Sequence, residues 1–268
     1  MNTPNHTALQ PHLTPAQSKV FARDGYLVMR RLASAERIAA MRSIALAHLE
    51  QTIEPLEYEA DVAYPGAPAS RTAEGGDTIR RLLDAYDRDH WFADWAADDR
   101  LTAIVAQLLD SAAVWLTPNH HNCVMTKAPA YSSATAWHRD LRYWSFAQPQ
   151  LINAWLALGD ETPDNGCMRL LPGSHRMTID ADRLDEAQFL REDIQANAEL
   201  IATAETAELA PGDVLFFHAG VFHAAGANHG DERKMAVVTS YFGRDNAPVA
   251  GTRSARRPAI QVREESNA

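Results

Sequence analysis

The residues best able to do chemistry in this chain are histidines followed two positions later by a carboxylate. Eleven histidines in 268 residues with 35 acidic side chains produce on the order of one or two His-x-Asp/Glu matches by chance, and the chain has three. His48-Leu-Glu50 lies in a run of helical period, where i and i+2 point about 200° apart and cannot share an ion. His229-Gly-Asp231 lies in a polar turn. His138-Arg-Asp140 differs, because TAWHRDLRYWSF is rich in β-formers and positions i and i+2 of a strand project to one face. Two histidines and one carboxylate leave three coordination positions open, which suits non-haem Fe(II) oxygenase chemistry rather than structural zinc. His223, in DVLFFHAGVFHAAGAN, is the best-placed third ligand, since it follows an apolar strand and opens a Gly/Asn turn. His218 competes, but it belongs to the apolar run itself, where a histidine is more often satisfied within the core.

Those ligands need strands to carry them and helices to cover the strands. Thr14 followed by Pro15 reads as a helix N-cap and first position, and apolar residues recur at helical spacing over 15–22 and 34–49. The GYLVMRRL segment between them reads as a strand. Residues 59–78 have no period and form a long loop, which in a compact domain is often functional and here is a candidate lid. Two further helical runs follow over 77–86 and 98–109. From Val114 to Phe242 the pattern changes to short apolar or alternating runs cut by Asn165-Gly166, Pro172-Gly173, Pro211-Gly212 and Gly226. VWLTP, HNCVMTKA, TAWHRDLRYW, LINAWLAL, CMRLLP, DVLFFHA and KMAVVTSYF are the strands this predicts, forming a sandwich or barrel. The segment after Ala247 is polar and basic, and reads as a solvated tail or as one that returns Arg253 or Arg256 to the entrance of the site.

Composition narrows the function classes. The balance of 25 basic against 35 acidic residues gives a net charge of −10, which disfavours nucleic acid and anionic membranes as partners. Cys123 and Cys167 lack CxxC spacing and read as core thiols in a reducing compartment. The N-terminal residues MNTPNHTALQ show no basic-then-apolar leader and no run is long enough to span a membrane, so a cytoplasmic location is expected. A 46% hydrophobic, 22% charged chain of this length fits one soluble domain.

Beyond the triad, the words around it resemble the phytanoyl-CoA dioxygenase family of Fe(II)/2-oxoglutarate-dependent oxygenases. FARDGYLVMRRL, WHRDLRYWSF, LINAWLALGDETPDNGCMRLLPGSHR and PGDVLFFHAGVFHAAGAN occur in the family's order. The resemblance implies a mainly β fold, a double-stranded β-helix or jelly roll wrapped by N-terminal helices. Its expected division is an arm over 1–14, a mostly helical flank over 15–112, a jelly-roll core over 113–245 and a tail over 246–268. It implies that His138, Asp140 and His223 hold Fe(II), that 2-oxoglutarate is the cosubstrate and that O2 is the oxidant. The family's anchoring Arg for the far carboxylate lies eleven residues after the distal histidine, which without gaps is Lys234 here, with Arg233 one short. Adjacent strand residues face opposite ways, so only one of them points inward; Lys234 is favoured, with Asn228 setting the register. Lys127 and Trp155 match family positions near the cosubstrate. Arg142, Tyr143, Trp144, Asn119, His121 and Tyr131, with His120, are the substrate-side candidates. Arg142 shares a face with the metal motif by alternation, and either meets a polar or anionic substrate group or pairs with an acid of the 59–78 loop.

The expected reaction is hydroxylation of an unactivated C–H bond of a small metabolite or natural product, with release of succinate and CO2. Desaturation, epoxidation and cyclisation use the same metal set, whereas the carboxylate at 140 argues against halogenation. The rival classes are a jelly-roll metal enzyme of another activity, such as an isomerase or zinc hydrolase, and a non-catalytic binding protein. The substrate's identity and the oligomeric state are left open.

Overall fold

The computed structural model describes residues 12–62, 67–129 and 131–264. Residues 1–11 of the expected arm lie outside it; Leu13 is buried and its N–H donates to Gln107 Oε1. Thr14 caps helix α1 (Pro15–Asp24) through a reciprocal box: Gln17 N–H donates to the Thr14 hydroxyl and Thr14 N–H to Gln17 Oε1. The helix stops at Gly25, whose φ of 84° places it in the left-handed region. Strand β1 (Tyr26–Met29) follows, then α2 (Ala35–Glu50) capped by Ser34.

The run expected as a helix over 77–86 is instead a strand and one helical turn. Strand β2 (Leu56–Tyr58) pairs with β3 (Ile79–Leu83), and only Ala85–Arg88 coils as α3. Five residues of alternating burial satisfy either period, and Asp84 at φ 55° breaks the continuation. Asp89 and Asp98 then cap α4 (His90–Ala96) and α5 (Asp99–Leu109). The flank over 15–112 thus carries three strands besides its helices, and α4 has no counterpart among the expected elements.

The remaining strands are β4 (Val114–Leu116), β5 (Asn122–Lys127), β6 (Thr135–His138), β7 (Ile152–Ala157), β8 (Met168–Leu170), β9 (Glu205–Ala207), β10 (Val214–His218), β11 (His223–Ala225), β12 (Lys234–Gly243) and β13 (Ile260–Arg263). All pairings are antiparallel. The larger sheet runs β1-β10-β7-β12-β5-β3-β2, with β4 on β12 and β13 on β4; the smaller runs β6-β11-β8-β9. This is the expected jelly-roll type of fold. The segment after Ala247 is not simply a solvated tail: β13 adds to β4, and Arg257 pairs with Asp84 at 2.7 Å and Asp87 at 2.5 Å.

Alternation decides which side chains meet. On β10, Val214 and Phe216 pack under the helices with Met41, Trp95 and Ile104, while Leu215 and Phe217 face the smaller sheet with Met168 and Leu170. On β12, Met235 and Val237 take the helical side and Ala236 and Val238 the inner side. Each large apolar side chain so buried contributes about 1.5–3 kcal/mol, and a shift by one residue would turn every one of them over. Among the described residues no helix is long and apolar enough to cross a membrane.

Candidate metal and cosubstrate site

Residues His138 and His223 are direct partners in the β6–β11 ladder, so two strands of the smaller sheet set two imidazoles side by side, 4.3 Å between ring centroids. Asp140 is not on that strand. The expected strand over 135–144 ends at His138, and Asp140–Tyr143 forms a single 3-10 turn tied by Leu141 N–H to Ala219 O at 3.3 Å. The turn still brings Asp140 Oδ1 to 3.9 Å from Nε2 of both histidines. One ligand atom from each of the three lies within 4.8 Å of the others, and all three residues are buried.

The donor set fits a metal. His138 Nδ1 donates to Ala136 O at 2.8 Å and His223 Nδ1 to Val221 O at 3.0 Å, which leaves each Nε2 with a free lone pair toward Asp140. Burial, reinforced by the neighbouring His223, pushes His138 down to about 3 and keeps it neutral. Burial alone would raise the Asp140 carboxyl, but the imidazoles of His121 and His223 hold it below the usual range. Its oxygens are also fixed: His121 Nε2 donates to Oδ1 at 3.0 Å and Asn153 Nδ2 to Oδ2 at 2.6 Å. His218 is occupied elsewhere, accepting from Gly220 N–H at 2.9 Å and facing Gln150. Neither His48 nor His229 joins a metal group among the described residues.

From the triad a narrow cavity runs between the sheets, lined by Arg80, Met125, Thr135, Trp155, Met168 and Ala225, and at its far end by Lys127 and Lys234. The inner-face alternation of β12 places Lys234 here, while Arg233 lies in a separate cleft with Leu49, Asp77 and Tyr131. Asn228 fixes that register, its amide donating to Lys127 O at 3.0 Å and Glu232 O at 2.8 Å. Lys127 and Lys234 are thereby directly opposite each other, a like-charge pairing that is unfavourable unless neutralised. Lys234 is neutralised: its Nζ donates to Glu161 Oε2 at 2.9 Å, Trp155 Nε1 donates to Glu161 Oε1 at 2.7 Å, and the ammonium sits 5.3 Å from the Trp155 ring. Arg80 pairs with Glu59 at 3.1 Å and Arg81 with Glu57 at 3.2 Å. Lys127 donates to Ser133 O at 2.7 Å and has no ion-paired carboxylate among the described residues. Burial first, then Arg80 and Lys234, push it down to about 7.

On the outer side of Asp140 a second cavity, about 270 Å³, is lined by His121, Arg142, Tyr143 and Trp144, together with His120, Arg81 and Arg253. The 3-10 turn, not strand alternation, puts Arg142 there, and no acid of the 59–78 segment pairs with it among the described residues; residues 63–66 lie outside those described. Asn119 lines neither cavity. Its amide donates to Ser254 O at 2.9 Å and Arg257 O at 2.8 Å and accepts from Arg257 N–H, so it staples the C-terminal segment. Tyr131 packs on Gly75, whose missing Cβ would lie 2.1 Å from the ring, away from the metal cavity. Sequence reasoning missed Glu161, Asn153 and Arg80. The only signal for the first two was a polar side chain in or just after the apolar run LINAWLAL; Arg80 was hidden by the helical reading of 77–86.

A two-histidine, one-carboxylate centre buried between two antiparallel sheets, beside a closed cationic cavity, defines a metal-dependent enzyme whose cosubstrate is an anion. A family model described as phytanoyl-CoA dioxygenase (PhyH) matches residues 21–236. The chain belongs to that family and is a dioxygenase that works with iron, 2-oxoglutarate and O2. It is 25% identical over 235 residues to an ectoine dioxygenase of Sphingopyxis alaskensis, covering 81% of this chain and 71% of the relative. The fold matches EctD from S. alaskensis with 2-oxoglutarate and 5-hydroxyectoine at a TM-score of 0.73 and 22% identity, over 94% of this chain and 87% of that one. It also matches the epimerase SnoN in complex with Fe3+, alpha ketoglutarate and nogalamycin RO at 0.70 and 24%, over 87% and 84%.

Proposed function

We propose that the protein hydroxylates an unactivated C–H bond of a small molecule, consuming 2-oxoglutarate and O2 and releasing succinate and CO2. One oxygen atom enters the product and the other enters succinate, so the two-electron oxidation of the C–H bond is matched by the decarboxylation. The observation that carries this reading is the placement of the triad in the wall between two cavities, one closed and cationic, one open. In this reading His138, Asp140 and His223 hold the iron, which when bound supplies the oxidising centre for O2 activation.

The rest of the work falls to the chain. The Nδ1 bonds orient both imidazoles with Nε2 toward Asp140, and Asn153 and His121 hold the carboxylate in one rotamer. Lys127 and Lys234 take the far carboxylate of 2-oxoglutarate; its charge complements Lys127, which has no ion-paired carboxylate among the described residues. Glu161, gripped by Trp155, keeps Lys234 extended along the cavity floor. Arg142, Tyr143, Trp144 and His121 border the substrate side and position what binds there. A cytoplasmic location is part of the same reading, supported by Cys123 and Cys167 being buried free thiols.

SnoN is an epimerase, so the same fold carries other outcomes, and product analysis decides among them. The test is anaerobic reconstitution with Fe(II) and 2-oxoglutarate. A weak visible charge-transfer band should form in the wild type and disappear in His138→Ala, and admission of O2 should yield succinate. A wild type with neither band nor succinate overturns the reading.

A further inference from the structure

We infer that the substrate is a small organic anion, a carboxylate or phosphate monoester, whose charged group is bound by Arg142 and Arg253 above the triad. The inference deepens the oxygenase reading and rests on it only for what happens to the substrate once bound.

The outer cavity contains three guanidiniums. Arg81 is spoken for, 3.2 Å from Glu57. Arg142 and Arg253 both line the cavity and neither has an acidic partner among the described residues. Some exposed arginines are neutralised: Arg71 pairs with Asp61 at 2.8 Å, and Arg257 with Asp84 and Asp87. In a protein of net charge −10, two arginines without an acidic partner among the described residues thus line one pocket. Of the two carboxylates lining the pocket, Glu57 faces Arg80 and Arg81, and Asp140 is bonded to His121 and Asn153 and belongs to the metal set.

Arg142 is also held in place. Its guanidinium carbon lies 3.9 Å from the Phe189 ring and 4.3 Å from that of Tyr143, and its Nη1 is buried with no hydrogen-bond partner. A buried charged donor left without an acceptor is costly, and rings on the guanidinium fix its fork before any ligand arrives. That fork matches the two oxygens of a carboxylate or phosphate. Trp144, stacked on His120 at 4.9 Å, gives the pocket an apolar wall for the carbon skeleton. Arg142 and Asp140 share one 3-10 turn, so an anion seated on Arg142 holds its neighbouring carbons beside the metal. The cavity of about 270 Å³ limits the molecule to a small metabolite.

The experiment begins with the Zn(II)-loaded, 2-oxoglutarate-saturated protein, titrated calorimetrically with sulfate and with acetate as probes of the two headgroups. Each anion that fits should bind one site, weakened about tenfold or more in Arg142→Ala, less in Arg142→Lys, and measurably in Arg253→Ala. Saturation with 2-oxoglutarate removes the inner cavity as a competing site, and the Lys and Arg253 variants carry the test if Arg142→Ala does not fold. The preferred probe identifies the headgroup. Iron-loaded wild type is then screened for substrate-stimulated succinate release with matched pairs, each carboxylate against its amide and each phosphate ester against its alcohol. Stimulation confined to the anions supports the inference. Failure of both probes to bind, binding indifferent to both arginines, or equal stimulation by the neutral partners overturns it. A wild type that makes no succinate under any condition refutes the oxygenase reading instead, and the calorimetric result still decides whether the pocket binds anions.

Discussion

Replacing Glu161 by Gln removes one charge and almost no volume from the floor of the inner cavity. In the native chain Lys234 Nζ lies 2.9 Å from Glu161 Oε2, with side-chain exposures of 4% and 0%, so solvent screens neither partner. The substitution leaves a buried ammonium facing Lys127 across the ladder and presents an amide where Trp155 and Lys234 both need an acceptor. Breaking a buried pair from one side costs about 3–5 kcal/mol. For a domain of this size each kcal/mol is worth about 2–4 °C, so the melting temperature should fall by roughly 6–20 °C. Lys234→Met should cost a similar amount, because it strands Glu161. The double variant Glu161→Gln/Lys234→Met should cost less than either single one, giving a coupling energy of at least about 2 kcal/mol. Urea unfolding of the metal-free protein, followed by tryptophan fluorescence, measures all three. Added 2-oxoglutarate should stabilise Glu161→Gln more than wild type, since its carboxylate replaces the missing charge. A single-variant cost under about 1 kcal/mol, additive single costs, or equal stabilisation by 2-oxoglutarate would refute this account of the cavity floor.

Three further outcomes are expected. Lys127 is lowered from 10.5 to about 7, whereas in the unfolded chain it keeps its proton to about 10.5; its cost to stability is therefore complete below about pH 7 and is relieved as pH rises toward 10.5. Binding 2-oxoglutarate restores that charge, so at pH 8 calorimetry in buffers of different ionisation heat should report uptake of close to one proton, absent in Lys127→Met, which should also bind more weakly. Asn153→Ala removes the 2.6 Å bond to Asp140 Oδ2 and should weaken Fe(II) or Co(II) binding by about 10–100-fold in a chelator competition; unchanged affinity would deny Asn153 any hold on the ligand. Gly25→Ala should lower the melting temperature in a thermal scan, because a Cβ at φ 84° would lie 2.3 Å from His175 Nδ1 and 2.6 Å from Val221 Cγ2, and the left-handed backbone alone costs about 1–2 kcal/mol; an unchanged melting temperature would contradict the packing described.

Much of this was legible in residue order. Period-2 runs between turn residues marked most strands of the sandwich, and Thr14-Pro15 and Asp98 marked helix starts that local capping chemistry fixes without help from the rest of the chain. The candidate metal ligands stood out in the sequence because their types are rare in combination and because His138 and Asp140 are close in sequence. His223 needed its flanking apolar strand to be recognised, and the β6–β11 ladder supplies the reason: it makes His223 the cross-strand partner of His138. Even here the geometry differed from the reasoning, since Asp140 reaches the histidines from a turn and not from a strand face.

What the sequence determined by itself is what depends on neighbours along the chain: the helix caps, most strands and the candidate ligand types, whereas the choice of Lys234 over Arg233 rested on the family resemblance and the register that Asn228 sets. What only the tertiary structure decided is what depends on distant segments meeting. Residues 79–83 satisfy either period and became a strand because β5 offered a partner. The segment after Ala247 looks polar in isolation and is ordered by β4, Asn119, Asp84 and Asp87, which brings Arg253 to the outer cavity. Glu161 carries no local signal of its role, since an acid after a strand is ordinarily solvated; its burial against Lys234, 73 residues away, and Trp155 follows from β7 and β12 lying side by side. Charge balance in a closed cavity is a sum over segments, and no single stretch of sequence contains it.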